Sequence, residues 1–372
     1  MNTSLTICEF LEQGGAQVSF FDMGRRVIEI PLDVMRRFEA TETPYPLPFL
    51  QSAWLGILFQ YPQAKTPQIN TNDHTETSTV NPHNIWFVKL PLDEQGLLQQ
   101  AARDDFLRHI LKTLDKTLDE TSGNKEQSQQ QTPDDNPHGF TPKEDRMAMF
   151  HAKISKQTGE PPSQYYAHAM DYFTGTAGFE QWNFVGLQGI ADVAARLSEN
   201  TLDGKSNKQT LAQAIPHLPA TPFAALCSCL ENVELDETLT QKIAARINKA
   251  LIDNDAVLVA AGIRGLSYST DQDTIISTIM SALESSSGHN VEVLAAIAGR
   301  AWETLKNPKL RFLFLENLAL CEVGQQAFDS IMADLLFLPE LRQLIKNDFH
   351  KPERSEHLSA SIGKFLKLVQ TV

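Results

Sequence analysis

Two adjacent arginines near the N-terminus are the residues that most directly suggest a site. Arg25 and Arg26 follow the aspartate and glycine of the stretch SFFDMGRRVIEI (19–30), between two apolar runs. Neighbouring guanidinium groups can bind an anionic ligand. The stretch also fits a hairpin with a DMG loop, in which Asp22 favours the turn and Gly24 takes a positive φ. We favour the hairpin, because consecutive strand residues point to opposite faces, and keep an anion site using one arginine as the alternative.

Two further pairs have the spacing of catalytic groups. Asp93 and Glu94 follow an apolar run, where paired carboxylates could transfer protons, but capping of the next helix is the simpler interpretation. His168 and Asp171 share a helix face, as a general base or a metal dyad would require. No second histidine lies within helical reach, so an ordinary hydrogen-bonded histidine is favoured. The stretch RDDFLRH (103–109) is predicted to be a solvated helix face with paired charges.

Metal and cofactor sites are not expected. Cys227 and Cys229 form a C-x-C pair with no further paired cysteines and no nearby histidine cluster, so no zinc site is predicted. Cys8 and Cys321 are isolated, which argues against a disulfide framework. The sequence contains no Walker A, dinucleotide-binding, nucleophile-elbow or H-E-x-x-H motif. No catalytic residue is therefore predicted, and no cofactor or metal.

Aromatic residues in the C-terminal part suggest binding surfaces. Gly186 and Gly189 lie three apart in an apparent helix, which predicts a close helix crossing, or alternatively a groove for a partner bordered by Trp182 and Gln188. Trp302 lies near the edge of an apolar stripe. If it is exposed it is a plausible anchor for a protein partner, and if it is buried it stabilises the fold.

The composition is that of an acidic soluble protein. The net charge is −14 and no long segment is basic, so nucleic acid is not expected as a partner. No apolar run reaches the length of a spanning helix, so no membrane association is expected. The stretch MNTSLTICEFLEQGG lacks a basic segment and contains Glu9 and Glu12, unlike a secretory signal. These features, with the scattered cysteines, predict a cytoplasmic protein.

The candidate residues fall into two predicted domains of different kinds. The sequence predicts a small α/β domain with a three- to four-stranded sheet and an internal polar loop, then a flexible polar linker, then a helical-repeat domain. The predicted boundaries are 1–116, 63–84 for the loop, 117–143 for the linker and 144–372. The polar loop and the linker are interpreted as spacers, with a recognition tail as the alternative.

Within the first domain, apolar runs and punctuating residues predict three helices and four strands. The strand Ser52–Gln60 is apolar on both faces, so it is expected to be buried on both. The predicted helices are Leu5–Leu11, Pro31–Phe38 and Leu92–Leu114, and the other predicted strands are Gln17–Phe21, Arg25–Ile30 and Ile85–Leu90.

The C-terminal part repeats itself. Alanine-rich amphipathic segments begin near Pro219, Asp255, Asn290 and Gln325, at offsets of 36, 35 and 35 residues, and partner helices lie between them. This period is typical of an α-solenoid with HEAT-like repeats. Alanine and glycine pairs, among them Ala261-Gly262, Ala295-Ala296 and Ala298-Gly299, are expected at helix crossings. The fold class is therefore an α+β domain followed by an all-α HEAT-like α-solenoid, mostly α overall.

Five stretches together resemble an uncharacterised bacterial family known only as a domain of unknown function. They are FDMGRRV, PYPLPF…AWLGIL, IWFVKLPLDEQG, PPSQYYAHAMDYF and W…GLQGIAD. The resemblance covers nearly the whole chain outside the two polar loops and implies no activity, ligand or catalytic residue.

Solenoids commonly act by presenting an extended surface to another protein. The sequence therefore predicts a non-catalytic protein-binding adaptor or scaffold that uses its helical repeats. The alternative is an enzyme or small-ligand sensor with a site in the N-terminal domain or at the domain junction.

Overall fold

The computed structural model divides the chain into two compact units. Met1–Gly24 and Ile28–Pro142 form the first unit, and Arg25–Val27 with Lys143–Val372 form the second. The chain thus leaves the first unit for three residues and then returns to it. The structure describes residues 5–61, 84–120, 136–176, 178–200 and 204–371.

Most of the polar loop predicted at 63–84 and of the linker predicted at 117–143 lies outside the described residues. Residues 136–142 are described and belong to the first unit, where Gly139 pairs with Val88.

The first unit contains a four-stranded antiparallel sheet in the order β2-β1-β3-β4. The strands are β1 Gln17–Asp22, β2 Ile28–Ile30, β3 Ser52–Gln60 and β4 Asn84–Pro91. β3 is central, and its side chains are buried on both faces, as its apolar pattern predicted. The central pairing sets Phe20 opposite Ile57 and Leu55 opposite Val88, all four fully buried.

Three helices accompany this sheet: α1 Ile7–Gln13, α2 Leu32–Glu39 and α3 Gln100–Glu120. α1 begins at a capping box, in which the Thr6 hydroxyl accepts from the Glu9 amide and the Glu9 carboxylate accepts from the Thr6 amide. The N-terminal proline expected for α2 is its cap, Pro31.

The connection between β1 and β2 differs from the prediction. The hairpin pairing is present, but β2 starts at Ile28, so Arg25 and Arg26 are not strand residues. Asp22 ends β1 and accepts a hydrogen bond from the buried Tyr45 hydroxyl at 2.8 Å. Gly24 does not have the expected positive φ. A Cβ there would lie 2.9 Å from the Cβ of Phe49, so glycine is needed for close packing instead.

The start of α3 also differs. The predicted helix start at Leu92 is wrong, because α3 begins at Gln100. The Asp93 carboxylate accepts from the amides of Gln95 and Leu97, both at 2.8 Å, and so stabilises a turn. Arg103 is not on a solvated face, since it is buried and donates to the backbone oxygen of Glu39.

The described part of the second unit is helical. Its α-helices are α4 Glu144–Gln157, α5 Tyr166–Phe173, α6 Leu187–Ala195, α7 Asn207–Ala214, α8 Ala220–Leu230, α9 Glu237–Ile252, α10 Ala256–Leu266, α11 Gln272–Leu283, α12 Val291–Gly299, α13 Pro308–Ala319, α14 Gln325–Phe337, α15 Pro339–Asp348 and α16 Glu356–Thr371. Short 3-10 helices span Trp182–Phe184, Ser286–His289 and Trp302–Lys306. No described helix is both long enough and apolar enough to span a membrane.

Helices two apart in the chain pack together in this unit. α6, α8, α10, α12 and α14 form one series of neighbours, and α7, α9, α11 and α13 form another. Both series contribute fully buried aliphatic side chains, such as Leu226 and Ile263 in the first and Ile243 in the second.

Glycines allow close approaches between helices of this unit. A Cβ on Gly262 would lie 2.4 Å from Ile247, and one on Gly265 would lie 2.6 Å from the Cys227 sulfur. The crossing predicted at Gly299 is wrong, because nothing lies within 4 Å of the corresponding position.

Two predicted continuous helices are interrupted. The stretch 180–197 is a 3-10 turn followed by α6, so Gly186 caps α6 and does not lie inside a helix. The stretch 290–305 is α12 followed by a second 3-10 turn that starts at Trp302. Hydrophobic periodicity alone does not distinguish a long helix from two short ones.

Candidate functional site

The three residues Arg25–Val27 are embedded in the second unit. Arg25 and Val27 are fully buried and Arg26 is 3% exposed. Five arginines surround or belong to this segment, and we call them the arginine cluster: Arg25, Arg26, Arg146, Arg264 and Arg300. Arg25, Arg26 and Arg146 are buried, and burying a guanidinium group is costly unless it is paired, so the partners of the cluster define what the site can do.

Arg25 reaches α14 and the end of α12. Its Nη2 donates to the Asp334 carboxylate at 2.8 Å, and its Nη1 donates to the Ala298 carbonyl at 3.3 Å. Its guanidinium lies 5.3 Å from the centre of the Trp302 ring. A charge-assisted pair in a buried setting fixes this side chain in one orientation.

Arg26 contacts two aromatic rings. Its guanidinium carbon lies 4.0 Å from the ring centre of Tyr268 and 4.6 Å from that of Trp302. Nη1 donates to the Glu303 carboxylate at 3.2 Å, while Nη2 donates to the carbonyls of Ser267 and Arg300. A planar guanidinium can contact an aromatic ring through its face and still donate hydrogen bonds from its edge, and the contacts of Arg26 are of both kinds.

The main chain of the segment is also held by side chains. Arg300 Nη1 donates to the Arg25 carbonyl at 2.8 Å, and Arg146 Nη2 donates to the same oxygen at 3.3 Å. The Val27 amide donates to Asn232 Oδ1 at 2.7 Å. The segment is therefore bound through its backbone as well as through its side chains.

Glu231, which follows α8, balances the charge of the cluster. Its fully buried carboxylate pairs with Arg264 at 2.6 Å, Arg146 at 2.8 Å and Arg300 at 3.0 Å. Burial alone would raise the pKa of Glu231, but the three guanidinium groups outweigh burial and lower it. Glu231 is thus ionised and ties the ends of α8, α10 and α12 to α4.

Lys153 on α4 lies beside the cluster. Its Nζ donates to the Asn232 carbonyl at 2.5 Å. Desolvation, followed by repulsion from Arg26, lowers the pKa of Lys153 to about 7. The lysine is therefore the group in this region whose charge changes near neutral pH.

The arginine cluster is held by ion pairs and hydrogen bonds within the protein. Arg25 and Arg26 face carboxylates and carbonyls of the protein itself. Among the residues that the structure describes, no group of three histidine, cysteine or carboxylate side chains could hold a metal. All four cysteines are free and buried, and burial raises the pKa of Cys8 to about 11 and that of Cys229 to about 12. Such thiols are poor nucleophiles.

Trp302, the anchor considered from the sequence, is 5% exposed and lies under the guanidinium groups of Arg25 and Arg26. Its ring is thus part of the wall that holds the segment and is not presented to solvent.

The other aromatic candidate lies near α5 and α6. Trp182 is half-buried, and Gln188 donates to the Ala148 carbonyl at 3.1 Å. A Cβ on Gly189 would lie 2.5 Å from the Tyr165 carbonyl, which confirms a close crossing there. Sequence reasoning missed Phe184, which is 72% exposed.

His168 and Asp171 lie on one helix, α5, as predicted, and the structure shows both of them exposed. Glu94 is exposed in the turn that precedes α3. None of these positions contacts the arginine cluster among the hydrogen bonds and ion pairs of the described residues.

A second region is exposed and partly apolar. We call it the turn edge: the turns after α9, α11 and α13, which are residues 252–257, 284–290 and 320–324. Asn254 accepts from the Ser286 hydroxyl at 2.6 Å, and Glu322 accepts from Asn290 at 2.9 Å, so the three turns are neighbours. Four large aliphatic side chains are exposed along them: Ile252 81%, Val257 71%, Leu320 42% and Val323 49%.

The charged partners of the segment were missed from the sequence, although one signal was available. Glu231, Arg264 and Arg300 each occupy the C-terminal end of a repeat-initiating helix, α8, α10 and α12. When charged residues recur at the ends of successive apolar repeat helices, they are candidates for one buried network of ion pairs. Asn232 and Tyr268 carry no comparable signal.

Comparison with known proteins places the chain in a family. No curated protein and no solved structure matches it. Residues 2–366 match the model of the family described as "Protein of unknown function (DUF3549)". Because that match spans almost the entire sequence, including the Arg25–Val27 segment and all the helices that surround it, the chain belongs to the DUF3549 family.

Proposed function

We propose that the protein is a non-catalytic protein-binding adaptor or scaffold of the bacterial cytoplasm, and that its helical unit is a HEAT-like α-solenoid. The packing of α8, α10, α12 and α14 in one series and of α9, α11 and α13 in another supports the repeat interpretation. In such proteins each helix pair contacts its neighbours, and the turns line up along an edge.

The observation that carries the proposal is the turn edge. Ile252 and Val257 flank one turn, and Leu320 and Val323 belong to another, so exposed aliphatic groups recur on linked turns. Scattered single aliphatic residues need no explanation, but pairs of exposed aliphatic residues on the first and third of three linked turns are characteristic of an interaction surface.

The charge of the turn edge restricts the class of partner that would be complementary to it. Its exposed carboxylates are Asp253, Asp255, Glu284 and Glu322, and the three turns contain no lysine or arginine. A partner that buries apolar side chains between basic ones would be complementary in both respects. A nucleic-acid backbone would be repelled.

The experiment compares two pairs of substitutions. Ile252→Asp with Val257→Asp disrupts the turn edge, and Leu366→Asp with Leu368→Asp, at exposed positions on α16, is the matched control. Proteins cross-linked in the native organism are identified for each variant, and the thermal unfolding midpoint is measured. The proposal predicts that only the turn-edge pair loses partners while its midpoint stays within about 2 °C. Unchanged partners in a folded turn-edge variant would refute it.

A small-ligand sensor is the second candidate, because the first unit contains a cleft of about 430 Å³. It is lined by charged residues of α1 and α2: Glu9, Glu12, Arg36, Arg37 and Glu42. Arg36 already pairs with Glu12 at 2.6 Å, and both are solvent-exposed. A metabolite that raises the unfolding midpoint of the wild type, but not of Arg37→Ala, would favour this function.

A further inference from the structure

The contacts around Arg25–Val27 are those by which a protein binds an extended peptide. Two backbone groups of the segment are held by side chains, namely the Arg25 carbonyl by Arg300 and the Val27 amide by Asn232. Side chains of the segment enter separate sites. Backbone contacts of this type give affinity, while the side-chain sites give sequence specificity.

The site for Arg26 distinguishes arginine from lysine. The guanidinium lies over the rings of Tyr268 and Trp302 and donates through different nitrogens to Glu303 and to two carbonyls. A lysine ammonium has no plane to stack and no fork of donors, so it cannot replace these contacts.

The neighbouring positions add to the specificity. Arg25 donates through Nη2 to Asp334 and through Nη1 to the Ala298 carbonyl, in a fully buried site. Val27 is also fully buried, so an aliphatic residue is required after the second arginine. The site therefore reads Arg-Arg followed by an aliphatic residue.

We infer that the helical unit is a receptor for peptide segments of the type Arg-Arg-aliphatic, and that Arg25–Val27 is its covalently attached ligand. A partner protein with an accessible Arg-Arg-aliphatic segment is the kind of ligand that would compete for this site. The inference deepens the proposed function by naming a partner chemistry, and it uses a surface distinct from the turn edge.

Covalent attachment explains how the Arg25–Val27 segment occupies the site in competition with free peptides. A ligand tethered by a short linker acts at an effective concentration on the order of millimolar. A free peptide with the same contacts must therefore reach about that concentration to occupy half of the wild-type sites. Removing the two guanidinium groups of the native segment lowers this competition.

The test is complementation of the full-length chain with a peptide of residues 22–29, DMGRRVIE. The protein variant is Arg25→Ala with Arg26→Ala, and the control peptide carries lysine at both arginine positions. Binding is measured by fluorescence anisotropy of labelled peptide, and the thermal unfolding midpoint is recorded with and without unlabelled peptide.

The arginine peptide is expected to bind the variant at least about tenfold more tightly than the wild type and to raise the variant's midpoint, since it binds the folded state. The lysine peptide is expected to bind at least about tenfold more weakly than the arginine peptide. Equal binding of the two peptides, or no binding to a folded variant at millimolar peptide, overturns the inference.

A variant that does not fold alone is refolded from denaturant with each peptide present. Recovery of the helical signal with the arginine peptide only supports the inference, and failure with both overturns it. The turn-edge variant Ile252→Asp with Val257→Asp distinguishes failure of this inference from failure of the proposed function. These two substitutions leave the site for residues 25–27 intact. A protein that carries them together with Arg25→Ala and Arg26→Ala is therefore expected to bind the arginine peptide as tightly as the double alanine variant, whether or not the turn edge binds partners.

Discussion

Glu39 in the first unit and Glu231 in the second are almost equally buried, at 1% and 0% exposed, yet their surroundings shift their pKa values in opposite directions. Glu39 accepts hydrogen bonds from the amides of Ile7 and Cys8, at 2.7 and 3.1 Å. Desolvation outweighs these bonds and raises the pKa of Glu39 to about 7. At Glu231, burial is outweighed by three guanidinium groups, and the pKa is lowered.

The difference shows what each carboxylate contributes. Two neutral amide donors do not compensate for the loss of water around a charge, whereas several cations within hydrogen-bonding distance do. Glu39 caps α1 from a neighbouring helix and can be protonated in the folded state. Glu231 is a fixed negative charge on which the arrangement of the arginine cluster depends.

The largest expected effect is that of Glu231→Gln. The substitution leaves the buried Arg146 and the half-buried Arg264 and Arg300 without their shared carboxylate, which costs about 3–5 kcal/mol of unfolding free energy. Denaturant unfolding followed by circular dichroism measures the loss. The control is Glu234→Gln, three residues away and exposed, for which a change within about 0.5 kcal/mol is expected. Equal effects of the two substitutions would contradict the role assigned to Glu231.

The second prediction concerns pH and Glu39. Its folded pKa of about 7 is above the ordinary value of 4.5, so the folded state binds the proton more tightly than the unfolded chain does. The stability from this group is fully present below pH 4.5 and is lost as pH rises through 7, by up to about 3 kcal/mol.

Glu39→Gln keeps an acceptor for the α1 amides but cannot titrate. The wild type should therefore lose protection of those amides between pH 5 and pH 8, relative to the variant, when hydrogen exchange is corrected for its intrinsic pH dependence. The carboxylate of Glu42 is exposed to solvent, and Glu42→Gln is the control, which should follow the wild type. Identical pH profiles for wild type and Glu39→Gln would contradict the raised pKa.

Lys153 gives the third prediction, with the opposite sign. Its folded pKa, lowered to about 7 from 10.5, means that the folded state binds the proton less tightly than the unfolded chain. The stability from this group is present above pH 10.5 and is lost as pH falls through 7. Lys153→Met removes this dependence but also removes the bond to the Asn232 carbonyl. The unfolding free energy of the variant minus that of the wild type, measured by urea unfolding, should therefore be larger at pH 6 than at pH 9.5. The same difference at both pH values would contradict the lowered pKa of Lys153.

How far the sequence predicted this fold depends on the kind of interaction involved. The strand Ser52–Gln60 was predicted to the residue, because an apolar run buried on both faces is a local signal. The helix starts near Pro219 and Asp255 were likewise within one residue of α8 and α10. The crossing at Gly189 was predicted because glycine in an apolar helix indicates close packing.

The site was less accessible from the sequence because its contacts are distant in the chain. Arg25 meets Asp334 across 309 positions, and no local pattern relates the two. Apolar neighbours of Arg25 and Arg26 predicted a strand, and tertiary pairing with Asp334 and Glu303 overrides that preference. Trp302 was placed near an apolar stripe, but the 3-10 turn that buries its ring against Arg26 breaks the helical period used to place it.

The smallest expected effect is that of Glu303→Gln. Its carboxylate pairs with Arg26 at 3.2 Å, but the side chain of Glu303 is 42% exposed, so water and salt already screen the charge. Arg26 keeps its two carbonyl acceptors and its two aromatic neighbours after the substitution. We therefore expect a loss below about 1 kcal/mol, reduced further in 1 M salt. Urea unfolding at low and high salt measures it. A loss of unfolding free energy close to that of Glu231→Gln would mean that an exposed carboxylate stabilises its arginine partner as much as a buried one does. That result would contradict the difference between buried and solvated charges.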